Sequence, residues 1–251
     1  MMNFFNTIFY EPILNLLVYI YNTLPGHDIG ITIVILTIII KLILYPLSKK
    51  SIEGQKSLQM LQPKLDEIKK QYADNKEGMS RAMMDLYKKE KVNPLSSCLP
   101  LLIQLPFFWA IFKVFRDELQ GKTLVLIYPF IHNPGTINNI AFGFLDFSKP
   151  NIILAILAGV SQFFQAKMMP MRPATVQTDG SKDENMMAIM NKQMLYFMPA
   201  LTIFICLTLP SGLAFYWLIS TILTIGQQWL IFRKKDTTPT SSTVIEGEII
   251  K

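Results

Sequence analysis

The sequence predicts an all-α integral membrane protein: a five-transmembrane-helix bundle with a cytoplasmic helical hairpin and an N-terminal interfacial amphipathic helix. Hydrophobic residues make up 51% of the 251 residues and charged residues 17%, whereas a soluble domain has about 25% charged residues. The apolar residues collect in runs of about 20, the length needed to cross a hydrocarbon core of about 30 Å. Basic residues accumulate between alternate runs, as the positive-inside rule requires.

The N-terminal segment 1–28 is predicted to be extracytoplasmic and amphipathic. It lacks the basic region and the small-residue cleavage site of a secretory signal. Between Pro12 and Leu24 the apolar residues recur at helical spacing, while Asn15 and Asn22 interrupt the apolar run. This pattern predicts a helix over 12–24 that lies in the membrane interface, and an additional membrane span is the alternative.

The order of spans and loops follows from the apolar runs and the basic residues. Lysine and arginine number eleven in 48–93 and three in 169–193, but two in 117–149 and none in 1–28. Positive residues accumulate on the cytoplasmic side, so we expect the N-terminus outside and the C-terminus in the cytoplasm. The predicted spans are 29–47, 97–115, 150–168, 194–209 and 212–232, with an extracytoplasmic loop at 116–149.

The cytoplasmic segment 48–93 is predicted to form an antiparallel helical hairpin. Apolar residues step by three and four on both sides of a break at 74–78, which indicates one apolar seam beneath a charged face. The hairpin either docks a nascent chain or a partner, or is a solvated structural pair. The seam residues are Leu58, Leu61, Leu65, Ile68, Tyr72, Met79, Met83 and Leu86.

Two further cytoplasmic segments differ in composition from the rest of the chain. Eight methionines crowd residues 168–198, most of them in the loop 169–193. Methionine suits surfaces that accept many apolar partners, although it also serves as ordinary packing near helix ends. The stretch 233–251 is rich in serine and threonine and is expected to be a disordered cytoplasmic tail.

Lys41 is the most informative residue, because it stands inside the first predicted span. It lies six residues before Leu47, or roughly 9 Å below the cytoplasmic interface at about 1.5 Å per residue. A lysine at the centre of a membrane helix costs about 2.5–3.5 kcal/mol. Its ammonium group therefore either snorkels to the interface or faces a water-filled cavity inside the bundle.

Polar residues in the other spans favour the cavity. Most of them lie in the cytoplasmic halves, whereas polar residues that merely join helices should be spread through the whole depth. Interhelical hydrogen bonding alone is the alternative. The asymmetry predicts a hydrophilic groove open to the cytoplasm, lined by Thr37, Lys41, Gln104, Gln162, Gln165, Trp217, Ser220, Thr224 and Gln228.

Signatures of an enzyme are missing from the sequence. It has no HExxH or GxSxG motif and no pair of intramembrane aspartates. A Ser–Lys dyad that uses Lys41 is conceivable, but no serine has a distinguishing context. Two cysteines and two histidines are too scattered to bind a metal. We therefore expect a protein that is not an enzyme and that has no metal site and no cofactor.

Several long motifs resemble those of the YidC-type membrane protein insertases. They are the second-span string NPLSSCLPLLIQLPFFWAIFKVF, the fourth-span string KQMLYFMPALTIFICLTLPSG, the last-span string LPSGLAFYWLISTILTIGQQWLI, and the hairpin strings LQPKLDEIKKQYADN and MMDLYKKEKVNPL. The resemblance covers about residues 9–235. It implies five core spans, an outside N-terminus, and a cytoplasm-facing groove that receives a hydrophobic segment and hands it to lipid.

The resemblance also implies roles for particular residues. The groove arginine of the family corresponds to Lys41, which keeps the charge but lacks the bidentate fork. The aromatic pair of the last span corresponds to Tyr216 and Trp217, and the third-span glutamine to Gln162 or Gln165. A long basic tail for ribosomes is replaced by three basic residues at 233–235, which argues against strong ribosome binding by the tail.

The function that these observations predict is that of a membrane protein insertase and chaperone in the bacterial plasma (inner) membrane. The expected partners are nascent membrane proteins and lipids, with the ribosome, the signal recognition particle receptor and the Sec translocon as further candidates and no direct contact to nucleic acid. No transit peptide is visible, which favours a bacterial membrane over an organelle. The alternative, a small-solute transporter or channel, predicts internal repeats and polar residues through the full membrane depth, and the sequence shows neither.

Overall fold

The computed structural model describes residues 2–73, 75–93, 99–117, 126–168 and 193–233, and most of them are helical. One π-helical turn lies at Asn6–Tyr10 and another at Gln193–Phe197. The α-helices in these ranges are α1 (Met2–Phe5), α2 (Glu11–Thr23), α3 (Ile29–Ile43), α4 (Tyr45–Met60), α5 (Gln62–Gln71), α6 (Lys76–Lys89), α7 (Leu99–Asp117), α8 (Ile152–Met168), α9 (Met198–Thr208) and α10 (Ser211–Arg233).

The last helix, α10, forms the centre of the bundle. It contacts α3, α4, α7, α8 and α9, and its first six residues are buried. The buried apolar core joins residues of α3, α7, α8, α9 and α10 to residues of α2 and of the loop before α8. The helices that carry the predicted groove residues therefore all border α10.

The described helices fit an all-α membrane protein, but they do not establish the number of spans. Among the described residues, α10 is the one helix that is long and apolar enough to cross a membrane alone, and α3 and α4 meet the same criteria together across a 67° bend. The helical segments Ile152–Met168 and Leu195–Thr208 are apolar but shorter. The count of five spans stays a prediction.

The first predicted span, 29–47, is interrupted by the bend at Leu44. The helix α3 ends at Ile43, and α4 begins at Tyr45 with Pro46 in its first turn. A proline in a continuous helix would lack the hydrogen bond to Leu42 and would clash with the carbonyl of that residue. Residues 45–47 therefore belong to α4. Lys41 lies two residues before the end of α3 at Ile43, and not six residues before the end of a helix at Leu47.

The N-terminal helix packs on protein over much of its surface. Within the predicted range 12–24 the structure has α2, which contacts α3 and α7. The Asn15 amide donates to the Leu126 carbonyl at 2.9 Å and accepts from the Tyr128 amide at 2.6 Å. The Asn22 amide donates to the His132 carbonyl at 2.6 Å. The two asparagines that interrupt the apolar run thus fasten the loop before α8 to α2.

A short β-hairpin sits where three helices begin. Its strands, β1 (Ile140–Ala141) and β2 (Leu145–Asp146), are antiparallel, with Ala141 opposite Leu145. The Asp28 carboxylate caps α3 and also accepts from the backbone amide of Phe142. At the start of α10, the Ser211 hydroxyl donates to the Asp146 carbonyl at 3.0 Å. These bonds hold the hairpin against the first turns of α3 and α10, and α8 follows within six residues.

The segment after α4 contains two helices that contact each other, α5 and α6. The helix α5 ends at Gln71, and α6 begins at Lys76 after its cap Asn75, so the connection starts two residues before the predicted break at 74–78 and residues 76–78 are helical. Leu61 and Leu65 of the predicted apolar seam are buried, and an ion pair joins Lys64 to Glu90 across the pair. The position of this helix pair in the cytoplasm stays a prediction.

Two glycines allow close approach of helices. A Cβ atom at Gly159 of α8 would lie 2.3 Å from Ile203 Cγ1 and 3.0 Å from the Pro199 carbonyl oxygen, both on α9. A Cβ atom at Gly212 of α10 would lie 2.5 Å from Phe115 Cε1 on α7. Both contacts need a residue without a side chain, because real Cβ atoms do not approach so closely.

Residues 94–98, 169–192 and 234–251 lie outside the described residues. The predicted start of the second span, most of the methionine-rich loop 169–193 and nearly all of the predicted disordered tail fall there. These parts of the prediction remain expectations from the sequence.

Candidate functional site

A hydrogen-bonded chain of polar side chains crosses the bundle from α3 to α10. The Lys41 Nζ atom donates to Thr224 Oγ1 at 2.9 Å, and Lys41 is half-buried. Thr224 Oγ1 in turn donates to the Ser220 backbone carbonyl at 2.8 Å. The ammonium group therefore points towards α10, where polar groups receive it.

The series of hydrogen-bonded side chains continues from α10 to α7. The side chain of Ser220 is hydrogen-bonded to the Tyr216 hydroxyl, and Gln104 Nε2 donates to the same hydroxyl at 2.6 Å. Tyr216 and Ser220 are buried, and Gln104 is half-buried. We call these five residues, Lys41, Thr224, Ser220, Tyr216 and Gln104, the polar network.

Two other predicted residues, Trp217 and Thr37, lie on the helices that carry the polar network and have different partners. Trp217 packs edge to face on Phe108 of α7, with ring centroids 5.1 Å apart. Thr37 is buried, and its hydroxyl donates to the Ile33 carbonyl of its own helix at 2.6 Å. Thr37 thus has a partner within α3, whereas Trp217 joins α10 to α7.

Several glutamines have buried polar atoms without a hydrogen-bond partner. These atoms are Gln162 Oε1 on α8 and Gln227 Nε2 and Gln228 Oε1 on α10, and Gln228 is 1% exposed. Gln165 is half-buried. An unsatisfied buried polar atom costs about 1–3 kcal/mol, so water or a bound chain that supplied partners to these atoms would be stabilised there.

The structure brings together half of the predicted groove residues and distributes the others around them. Phe108 and the buried polar face of α4 were not predicted. That face carries Ser51 and Gln55, and α4 contacts α10. The only signal for it in the sequence is that Ser51, Ile52 and Gln55 are spaced to share one side of a helix.

The arrangement offers charge and hydrogen bonds rather than a reactive group. Among the described residues, no group of three or more histidine, cysteine, aspartate or glutamate side chains is placed to hold a metal. The polar network contains one cation and four neutral polar side chains, and the aromatic pair of Trp217 and Phe108 borders it. Such a surface can bind and position a segment without changing its covalent structure.

Comparisons with known proteins identify one family. A sequence profile described as the 60Kd inner membrane protein matches residues 19–238. A relative from Pelobacter propionicus, named membrane protein insertase YidC, is 35% identical over 227 residues, which are 90% of this chain and 38% of the relative. A relative of the same name from Francisella tularensis subsp. novicida is 35% identical over 204 residues, 81% of this chain and 32% of the relative. The chain thus spans about a third of the length of these relatives.

Proposed function

This chain belongs to the 60Kd inner membrane protein family, and we propose that it acts as a membrane protein insertase and chaperone in the bacterial inner membrane. The name of the relatives, membrane protein insertase YidC, supports insertion of proteins and does not favour the transport of small solutes. The chain acts without a catalytic residue or cofactor, and its substrates are nascent membrane proteins. The ribosome, the signal recognition particle receptor and the Sec translocon deliver or share these substrates.

The observation that carries the proposal is the polar network. A cation and a set of hydroxyl and amide groups join α3, α7 and α10, and these helices also contribute residues to the apolar core of the bundle. Polar groups inside a membrane protein are costly and usually serve substrates, ions or water. We assign the network to the wall of a groove that is open to the cytoplasm.

The groove works by shortening the hydrocarbon path that a polar segment has to cross. Lys41 attracts acidic residues of the translocated segment, and the half-buried side chains of Thr224 and Gln104 offer hydrogen bonds to its backbone. The apolar part of the substrate then leaves sideways into lipid. Partitioning drives the release, and the membrane potential adds about 2.3 kcal/mol per charge for each 100 mV.

A crosslinking experiment tests whether nascent chains enter the groove. A photoreactive residue is placed at Gln162, at Trp217 or at Tyr19, which is 58% exposed on α2, a helix that carries no residue of the polar network. We expect ribosome-bound nascent membrane proteins to crosslink from residues 162 and 217 in proteoliposomes and not from residue 19. Equal crosslinking from all three positions would contradict a groove at the polar network.

The orientation of the chain is part of the proposal. We place α5 and α6 in the cytoplasm, because the segment 48–93 carries eleven basic residues. In a variant with Cys98 and Cys206 replaced by serine, a cysteine at Lys76 should react with a membrane-impermeant maleimide after lysis and not in intact cells. A cysteine at Thr136, in the loop 116–149, should react in both. Labelling of residue 76 from outside would reverse the topology.

A further inference from the structure

The β-hairpin before α8 carries an aromatic side chain that neither the core nor the polar network uses. Phe144, next to the first residue of β2, is 80% exposed, and Ile140 of β1 is 47% exposed. The other side of the hairpin is buried, since Phe147 and Ala141 are fully covered. The hairpin is therefore two-sided, with one face in the core and one apolar face open.

The β-hairpin lies at the N-terminal ends of three helices, α3, α8 and α10, and these ends fix its position along the bundle. Asp28, the cap of α3, accepts from the Phe142 amide. At the start of α10, the backbone amides of Ser211 and Gly212 donate to the carbonyls of Lys149 and Phe147 at 3.0 and 3.2 Å. The helix α8 begins at Ile152. The hairpin lies level with these first turns and does not project beyond them as a free loop.

The helix that follows presents an apolar surface to its surroundings. Among the described residues, six large apolar side chains of α8 are exposed, from Ile152 in its first turn to Phe164 near its end. A helix with such a stripe in a membrane protein faces lipid, because hydrocarbon is the solvent that accepts it. Close to the start of this stripe lies an ion pair, Lys149 to Asp146 at 3.0 Å, the kind of polar group that belongs among lipid headgroups.

We propose that the open face of the hairpin, with Phe144 at its tip, is a lipid-binding surface that inserts into the outer leaflet at the level of the interface. Aromatic residues are enriched at this depth, where an apolar ring meets the acyl chains beside polar headgroups. The left-handed backbone at Phe142 and Gly143, with φ of 55° and 79°, turns the chain so that the Phe142 ring packs on Phe215 at 5.7 Å while Phe144 stays outside. The partner is the bilayer itself, with no particular headgroup.

Spin-label accessibility tests this proposal independently of insertase activity. Single cysteines replace Phe144, Ile153 or Thr136 in a background without Cys98 and Cys206, and each carries a nitroxide. The protein is reconstituted in vesicles of phosphatidylethanolamine and phosphatidylglycerol. Collision with oxygen reports lipid, and collision with a water-soluble nickel chelate reports water.

We expect the label at Phe144 to match the label at Ile153, which is 65% exposed on α8, with a severalfold higher ratio of oxygen to nickel accessibility than the label at Thr136. A nickel accessibility at Phe144 equal to that at Thr136 overturns the proposal, as does protection from both reagents, which would mean that protein covers the hairpin. A water-exposed label at Ile153 also overturns it, because the lipid-facing stripe of α8 would then be absent. A loss of insertion activity in any variant leaves these outcomes unchanged.

Discussion

Replacing Lys41 with glutamate is expected to abolish the insertion of substrates whose translocated segment is acidic. The Lys41 ammonium is half-buried and held by Thr224 on α10, so it acts on a segment in the groove with little screening. Two unit charges 4 Å apart interact by about 4 kcal/mol at an effective dielectric of about 20. Because about 1.4 kcal/mol corresponds to a tenfold change in rate, reversal of the charge should slow insertion by more than about tenfold.

Two milder substitutions separate charge from geometry at this position. Lys41→Arg keeps the charge and should keep activity, whereas Lys41→Ala should reduce insertion of acidic substrates and affect purely apolar substrates less. A matched control is Lys167→Glu, because Lys167 is an exposed lysine in the last turn of α8. That reversal should leave insertion close to the level of the parent protein.

Protease protection of the translocated segment in proteoliposomes measures these effects, and thermal unfolding of each variant in detergent establishes that it is folded. If folded Lys41→Glu protein inserted acidic substrates as well as the parent protein, Lys41 would be a snorkelling lysine. The polar network would then join helices without serving substrates.

The second large effect is expected from Gly159→Leu, which should separate α8 from α9. The new Cβ atom would lie 2.3 Å from Ile203 Cγ1 and 3.0 Å from the Pro199 carbonyl oxygen. The Ile203 side chain can change rotamer, but the Pro199 carbonyl belongs to the backbone and can move only with its helix. Overpacking of this kind costs about 1–3 kcal/mol, which for about 150–250 residues lowers the midpoint of unfolding by about 2–12 °C.

Gly226 provides a matched control on α10, because among the described residues nothing apart from the adjacent backbone of its own helix lies within 4 Å of a Cβ atom at this position. Gly226→Leu should not lower the unfolding midpoint, since leucine is the better helix former by about 1 kcal/mol. The unfolding midpoint of Gly159→Ala should fall between those of the two leucine variants, because a methyl group requires a smaller displacement of α9 than a leucine side chain does. Equal midpoints for Gly159→Leu and Gly226→Leu would show that α8 and α9 do not approach closely at this point.

Part of the candidate site could be predicted because membrane burial makes polar residues conspicuous. Lys41, Gln104 and Thr224 stand out in apolar runs, and polar groups in such runs have to find partners. The structure joins them through Tyr216 and Ser220. Their role in binding a substrate stays a prediction, since hydrogen bonds between helices serve stability as well as function.

Other features could not be predicted because they depend on contacts between distant parts of the chain. Asn15 and Asn22 interrupt an apolar run and predict a polar helix face, whereas in the structure each binds the backbone of the loop before α8. The β-hairpin has strands of two residues, too short for an alternating pattern. The pairing of Trp217 with Phe108 depends on the crossing of α10 and α7.

The bend after α3, by contrast, could have been predicted, because its cause is present in the sequence. Pro46 lies within the first apolar run, and a proline ends or kinks the helix that precedes it. Hydrophobicity alone placed the end of the span at Leu47, since Tyr45 and Leu47 are apolar as well. The position of the proline, rather than the extent of the apolar run, determines where the helix ends.

The bond between Asn15 and Tyr128 also constrains the order in which the protein assembles. The two residues are 113 positions apart, so at about 5–20 residues per second the ribosome needs roughly 6–20 s to make the second after the first. During that interval the side-chain oxygen Oδ1 of Asn15, which accepts the Tyr128 amide in the folded protein, depends on water for its hydrogen bond. A helix on a wet membrane surface can wait in this way, whereas a helix that crosses hydrocarbon cannot. We therefore propose that the newly made α2, which the sequence predicts to lie in the membrane interface, rests at the surface until the later loop covers it.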